Sequence, residues 1–241
     1  MSYNGSQFYN NSANLEKYLE RRSTLDNAND TLEKPVICEL IGDVSGSRIL
    51  DIGCGDGKFA LELFDAGCDE YVGIDGAETM FQLAVSTVNG YNATIVHTTI
   101  EHWTYPAAAF DLVLSRLAVH YVEDISSLFR QIHQSLIPGG RFIFSIEHPV
   151  ITSTLQPTGM RMDWVVDHYF SEGYREQHWL GGIVHKFHRP IEAYYRALQE
   201  AGFTIDHLRE SAPQRQHFAC EETYQRRLRI PLFLILGAKK E

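Results

Sequence analysis

The sequence predicts an α/β fold, a largely parallel sheet with helices on both faces. Apolar strand-like runs alternate with amphipathic helical runs from Arg48 to Glu147. The first strand breaks into a glycine turn that opens directly into a helix. A chain of 241 residues, 44% hydrophobic, is large enough to bury the core of one such domain. Strands joined through helices imply right-handed crossovers and hence parallel neighbours.

The elements follow in order. The polar start, to about residue 13, is expected to be mobile. NLEKYLERR reads as a helix with Asn14 as its cap. KPVICELIG reads as a second, with Pro35 in its first turn and Gly42 at its end. RILDIG is a buried strand, and KFALELFDAG a helix stopped by Gly67. YVGID is a strand, AETMFQLAVSTV a helix, and ATIVHTT and FDLVLS are strands. ISSLFRQIHQSL is a helix ended by Pro138-Gly139-Gly140, and RFIFSIE a strand. PIEAYYRALQEAG is a helix with Pro190 first and Gly202 last. FTIDHLRE and PLFLILGAKK close the chain as strands without a strong helix between them, which suits an antiparallel pair. Residues 148–189 break the alternation, and their aromatics argue for an ordered insertion.

Composition excludes several functions. The net charge of −10 repels phosphate backbones, so nucleic acid is not the expected partner. Arg226, Arg227 and Arg229 read as a solvated helix end. Cys38, Cys54, Cys68 and Cys220 show neither CxxC spacing nor a neighbouring His, so neither a metal site nor a disulfide framework is expected. Reduced thiols and a polar N-terminus without signal-peptide character suit a cytoplasmic protein. No apolar run approaches the roughly 20 residues of a membrane span. Nothing in the sequence fixes the oligomeric state.

The turn has the spacing Gly53-x-Gly55-x-Gly57, where a dinucleotide site has GxGxxG. Asp51 ends the strand and Asp56 lies inside the turn. These anions oppose a pyrophosphate and favour a cationic, phosphate-free nucleoside such as S-adenosylmethionine. Asp75 ends the next strand, where a carboxylate can accept both ribose hydroxyls of either cofactor.

ILDIGCGDG, YVGID followed by Met80, TTIEHW, FDLVLSRLAVHYV and LIPGGRFIFS together resemble the class I S-adenosylmethionine-dependent methyltransferases. That resemblance implies a Rossmann-like seven-stranded sheet with its last strand antiparallel. It implies that Asp51, Gly53, Cys54 and Gly55 cradle the methionine part and that Asp75 holds the ribose. Gly76 and Met80 would flank the adenosine, Thr99, Ile100 and Glu101 would line the adenine edge, and Ser115 would complete the cofactor set. Thr99 stands where the family commonly has Asp, and Arg116 where a close subgroup has Ser. A cation at Arg116 either binds a substrate anion or faces solvent. EHPV, VDHYFSEGYREQHWL and HKFHRP are similar to the insertion of a bacterial small-molecule subgroup, and the spacing Tyr18, Arg22, Asn29, Glu33, Pro35 to its entry segment. The chain thus reads as one domain, 1–241. Residues 14–42 would cover the cofactor through Tyr18 and Arg22, and 148–189 would form a substrate lid.

Methyl transfer needs in-line approach, exclusion of water and, for a protic nucleophile, a proton acceptor. His120 and His148 follow strand ends where ligands of parallel sheets bind, so both are candidates. Each also reads as a structural histidine. Tyr169 and Arg175 are the polar candidates of the insertion, whose aromatics suit a flat organic acceptor. The expected function is methyl transfer to a small aromatic or heterocyclic metabolite on carbon, nitrogen or oxygen. SRLAVHY lacks the Pro-Pro-aromatic block usual for exocyclic base amines. A binding scaffold without turnover and an NAD-dependent oxidoreductase remain as alternatives.

Overall fold

The computed structural model describes residues 2–155, 163–180 and 182–241. Ten strands and eight α-helices are described. They are β1 (Ser2–Asn4), α1 (Ser12–Ser23), α2 (Lys34–Ile41), β2 (Arg48–Ile52), α3 (Lys58–Asp65), β3 (Glu70–Asp75), α4 (Glu78–Thr87) and β4 (Ala93–His97). There follow β5 (Phe110–Arg116), α5 (Ile125–Ser135), β6 (Leu136–Glu147), α6 (Pro149–Thr152), β7 (Gly173–Trp179), β8 (Gly182–His188), α7 (Ile191–Glu200), β9 (Phe203–Arg209), α8 (Glu221–Arg227) and β10 (Phe233–Lys240).

The main sheet has seven strands in the order β4-β3-β2-β5-β6-β10-β9. Only β10 runs against its neighbours, antiparallel to both β6 and β9. Strand side chains alternate between two cores. Ile49, Leu112, Leu114, Ile143 and Ile235 pack on α2 and α3. Leu50, Val113, Phe142, Phe144, Leu234 and Leu236 pack on α5 and α7. Burial on both faces explains why these strands read as continuous apolar runs. Among the described residues no helix is long and apolar enough to cross a membrane.

Several local expectations are corrected. The start of the chain is ordered: β1 pairs in parallel with β8, Ser2 opposite Ile183. Gly5–Asn10 forms a 3-10 turn whose Phe8 is buried against Trp179, with ring centroids 5.0 Å apart. The cap of α1 is Asn11, whose side chain accepts from the Asn14 N–H, while Asn14 turns inward and donates to the Phe8 carbonyl. A π-helical turn, Asn29–Glu33, leads into α2. α5 ends at Ser135, and Pro138-Gly139-Gly140 belongs to β6. Pro190 caps α7 from outside. α8 intervenes between β9 and β10, where no strong helix was expected.

The expected lid, 148–189, contains α6 and the antiparallel hairpin β7–β8. Its residues 156–162 and 181 lie outside the described residues. Together β1, β8 and β7 form a second, three-stranded sheet. Strand alternation turns Val184, Lys186 and His188 of β8 to one buried face.

Candidate active site

The carboxyl ends of β2, β3, β5 and β6 open into one cavity of about 1010 Å³. Its far walls come from the N-terminal segment, α1 and the β7–β8 hairpin. Of the expected cofactor residues, Tyr18, Arg22, Gly53, Gly55, Asp75, Gly76, Met80, Thr99, Ile100 and Glu101 line it. Asp51, Cys54 and Ser115 do not; they sit just behind the wall and shape it. Asp51 is buried and accepts the Tyr71 hydroxyl at 2.8 Å, and its other oxygen has no partner. Burial raises its pKa to about 6, against the pull of that hydroxyl and of Arg116. The Cys54 sulfur packs over Gly73, where a Cβ would lie 2.9 Å away. The Ser115 hydroxyl donates to the Ile52 carbonyl and ties β5 to β2.

Both oxygens of Asp75 accept backbone N–H groups, from Gly55 at 2.9 Å and Ala77 at 2.8 Å. One carboxylate therefore fixes the bend after β2 and the entry to α4. Gly53 has φ 82°, and a Cβ there would lie 2.5 Å from that of Ala118. At Gly55, φ is 58° and a Cβ would meet nothing within 4 Å, because the cavity begins there. Asp56 is paired with Lys58 at 2.9 Å, so its charge is shared with its own helix. The Thr99 hydroxyl is 2.7 Å from Nδ1 of His102. Arg22 is held by Asp30 and Asn27, each at 3.0 Å. Gly76 lies under Ser6, whose hydroxyl would be 2.8 Å from a Cβ there.

The second half of the cavity lies over β5 and β6. His120 is 2% exposed, and its Nδ1 accepts the Glu147 N–H, which leaves the proton on Nε2. Burial, then the Lys186 cation, pushes its pKa down to about 3. At neutral pH it is therefore a neutral imidazole. Lys186 donates to Glu147 at 2.6 Å and to Gln177 at 2.5 Å. Its ammonium lies over the rings of Tyr121 and Trp179, 5.7 and 5.9 Å from their centroids. The second oxygen of Glu147 is buried without a partner. Burial opposes its charge, but Lys186, His120 and Arg21 outweigh this and hold the carboxyl below its ordinary range.

Three expected catalytic residues lie elsewhere. His148 caps α6 by accepting the Val150 N–H and bonds Glu210 with its other nitrogen. The Tyr169 hydroxyl accepts the Ile191 N–H, and its carbonyl faces His188. Arg175 is buried and donates to the carbonyls of Ser153, Tyr174 and Ser171. None of the three is among the residues that line the cavity; each makes hydrogen bonds that brace the insertion. Arg116 reaches the wall, but its charge is already engaged. Its guanidinium is bidentate to the fully buried Glu33.

Glu147, Lys186 and Gln177 were not singled out in the sequence, and Glu33 entered only through the spacing of the entry segment, with no partner assigned. The signal for Glu147 was its place at a strand end beside His148. The others depend on partners distant in the chain.

The comparisons agree with this geometry. A family described as a methyltransferase domain matches residues 50–144. A solved S-adenosylmethionine-dependent methyltransferase from Mesorhizobium loti is 34% identical, covers 86% of this chain and 97% of its own, and superposes with a TM-score of 0.81. A ubiquinone biosynthesis O-methyltransferase of Ruegeria pomeroyi is 37% identical over 103 residues, 42% of this chain and 41% of its own. Phosphoethanolamine N-methyltransferase 1 of Arabidopsis thaliana is 29% identical over 66% of this chain but only 29% of its own length. The chain belongs to the S-adenosylmethionine-dependent methyltransferases, and S-adenosylmethionine is its cofactor.

Proposed function

We propose that this chain methylates a small molecule held beside the cofactor, over the ends of β5 and β6. The continuous cavity of about 1010 Å³ carries the reading, because it reaches from Gly55 and Asp75 to His120, Glu147 and Lys186. Ligand sites of small molecules span about 300–1,000 Å³. The residues at the first half fit the cofactor: an open cradle at Gly55, a carboxylate at Asp75 and no cation at the bend itself apart from Lys58, which Asp56 neutralises. In this reading Asp75 holds the ribose, Gly53 and Gly55 the methionine part, and Gly76, Met80, Thr99, Ile100 and Glu101 the adenosine. Asp51, Cys54 and Ser115 support that wall from behind. Tyr18, Arg22 and Ser6 cover it, and the β7–β8 hairpin shuts water from the acceptor.

The cofactor supplies an already cationic methyl donor, so the chain must align and deprotonate the acceptor rather than activate the methyl group. Glu147 is the candidate proton acceptor, through its unpartnered oxygen. The Nε2–H of His120 is a donor that orients the acceptor. The related O- and N-methyltransferases differ in acceptor atom, and the choice here belongs to this half of the cavity.

Glu147→Gln is expected to lower kcat at least about 100-fold while S-adenosylhomocysteine binds as before. Labelled-methyl transfer to small aromatic and aliphatic metabolites, with calorimetry on the same samples, reads both. Undiminished turnover removes Glu147 from the chemistry, and no transfer by the wild type to any acceptor favours a binding scaffold.

His120 also gives a pH prediction. Its folded pKa of about 3 lies below the ordinary 6.5, so the unfolded chain binds more protons between those values. Stability from His120 is therefore complete above about pH 6.5 and is lost as pH falls toward 3, by at most about 1.4 kcal/mol per pH unit. Asp51, raised to about 6, has the opposite sign as pH rises from about 4 to 6. Urea midpoints of His120→Gln should therefore fall less steeply than wild type on acidification from pH 6.5 to 5. Parallel curves would mean that His120 is protonated in the folded protein.

A further inference from the structure

Two arginines at the cavity have no part in the reading above. Arg21 lies in the last turn of α1 and Arg227 in the last turn of α8, and both line the cavity. Three arginines of the same region are matched with carboxylates: Arg22 with Asp30, Arg116 with Glu33 and Arg215 with Glu221. Arg21 and Arg227 have no such partner among the described residues, although the chain carries a net charge of −10. Nε of Arg227 is buried without a hydrogen bond. Burial, then the neighbouring Arg226 and Arg21, pushes the Arg227 pKa down to about 10. A guanidinium left so is short of a counter-charge, and an anionic ligand supplies one.

Arg227 precedes the strand that borders the acceptor half of the cavity. α8 leads into β10, whose Phe233 lies in register with Glu147. β10 is separated from β2 by β5 and β6. At about 4.8 Å per strand, that places it roughly 14 Å from the bend that follows β2. Arg21 acts electrostatically on Glu147 and on Arg227, at the same end. One oxygen of Glu147 is engaged by Lys186, and among the described residues no ion pair joins Glu147 to either arginine.

We propose that Arg21 and Arg227 form an anion subsite for the methyl acceptor, so that the substrate is a small organic acid bearing a carboxylate or a phosphate. This rests on the methyl-transfer reading, with the arginines holding the acid group and Glu147 and His120 facing the atom to be methylated.

The test has two arms. Inorganic phosphate and acetate are titrated separately into the full-length protein loaded with S-adenosylhomocysteine, with phosphorus and carbon NMR as readouts. Millimolar binding of either anion is expected. It should weaken at least tenfold in Arg227→Gln and in Arg21→Gln and largely survive in Arg227→Lys, with cofactor-product affinity unchanged within twofold. In the second arm, labelled-methyl transfer is compared across carboxylic acids, phosphate monoesters and their neutral amides or esters. Turnover confined to the carboxylates, or to the phosphates, supports the proposal and names the group. The proposal is overturned if neutral members react as well as the acids, or if anion binding is absent or unchanged in the variants. It is also overturned if S-adenosylhomocysteine affinity falls with the arginines, which would give them to the cofactor's own carboxylate. Failure of methyl transfer as such looks different: no acceptor is labelled while the anion titration still responds to both arginines.

Discussion

Replacing Glu33 by alanine is expected to lower the unfolding free energy by about 3–5 kcal/mol. Glu33 is fully buried in the π-helical turn before α2. Its carboxylate takes both forks of the Arg116 guanidinium and the Ser145 hydroxyl, the latter at 2.7 Å. That same hydroxyl accepts the Leu117 N–H at 3.0 Å. One side chain therefore clamps the N-terminal segment to the ends of β5 and β6. Burial penalises the Arg116 cation, but Glu33 outweighs it and raises the pKa above its ordinary value. Without Glu33 that cation, packed over the Phe59 ring, loses its hydrogen-bonded counter-charge and keeps the through-space pull of Asp51. Replacing both residues by methionine should recover most of the loss, since an apolar pair does not leave a buried charge behind. Urea unfolding of the single and double variants reads the difference. A single-variant loss under about 1 kcal/mol would mean that water reaches Arg116.

The second large effect is expected from Asp75→Asn, a roughly 100-fold loss of affinity for S-adenosylhomocysteine, close to 2.7 kcal/mol. An ionised carboxylate can accept two ribose hydroxyls through charge-assisted bonds worth about 1.5–3 kcal/mol each. Both of its oxygens already accept amides, from Gly55 and Ala77, so their remaining lone pairs face the cavity. Asparagine keeps the shape but turns one oxygen into a donor, against either an amide N–H or a ligand hydroxyl. Burial holds the Asp75 pKa above its usual value, and the amides of Ala77 and Gly55 pull it back. Calorimetry on the variant, with its melting temperature as a control on the bend, gives the result. Affinity within threefold of wild type would place the ribose on another group.

The strands, the glycine bend and Asp75 were legible because they are local. The inner strands β2, β3, β5, β6 and β10 are mostly buried on both faces, so their own composition announces them. The bend needs Gly53 at φ 82° against Ala118, and only glycine meets that demand without strain. The N-terminal segment was misread because its polar composition says nothing of Ile183 or Trp179, which order it. The contacts of His148 were hidden for the opposite reason. It sits at a strand end, as an active-site histidine does, but the next turn of chain takes its Nδ1 as a helix cap.

The sequence by itself determined the α/β layering, through periodicity, and the class of cofactor, through the motifs around the glycine bend, because both are written in short local stretches. Only the tertiary structure decided which polar residues share the cavity. Lys186 meets Glu147 across 39 residues, and Glu33 meets Arg116 across 83. Such pairs leave no local pattern, because the cost of burying each charge is offset by a partner that folding alone brings near.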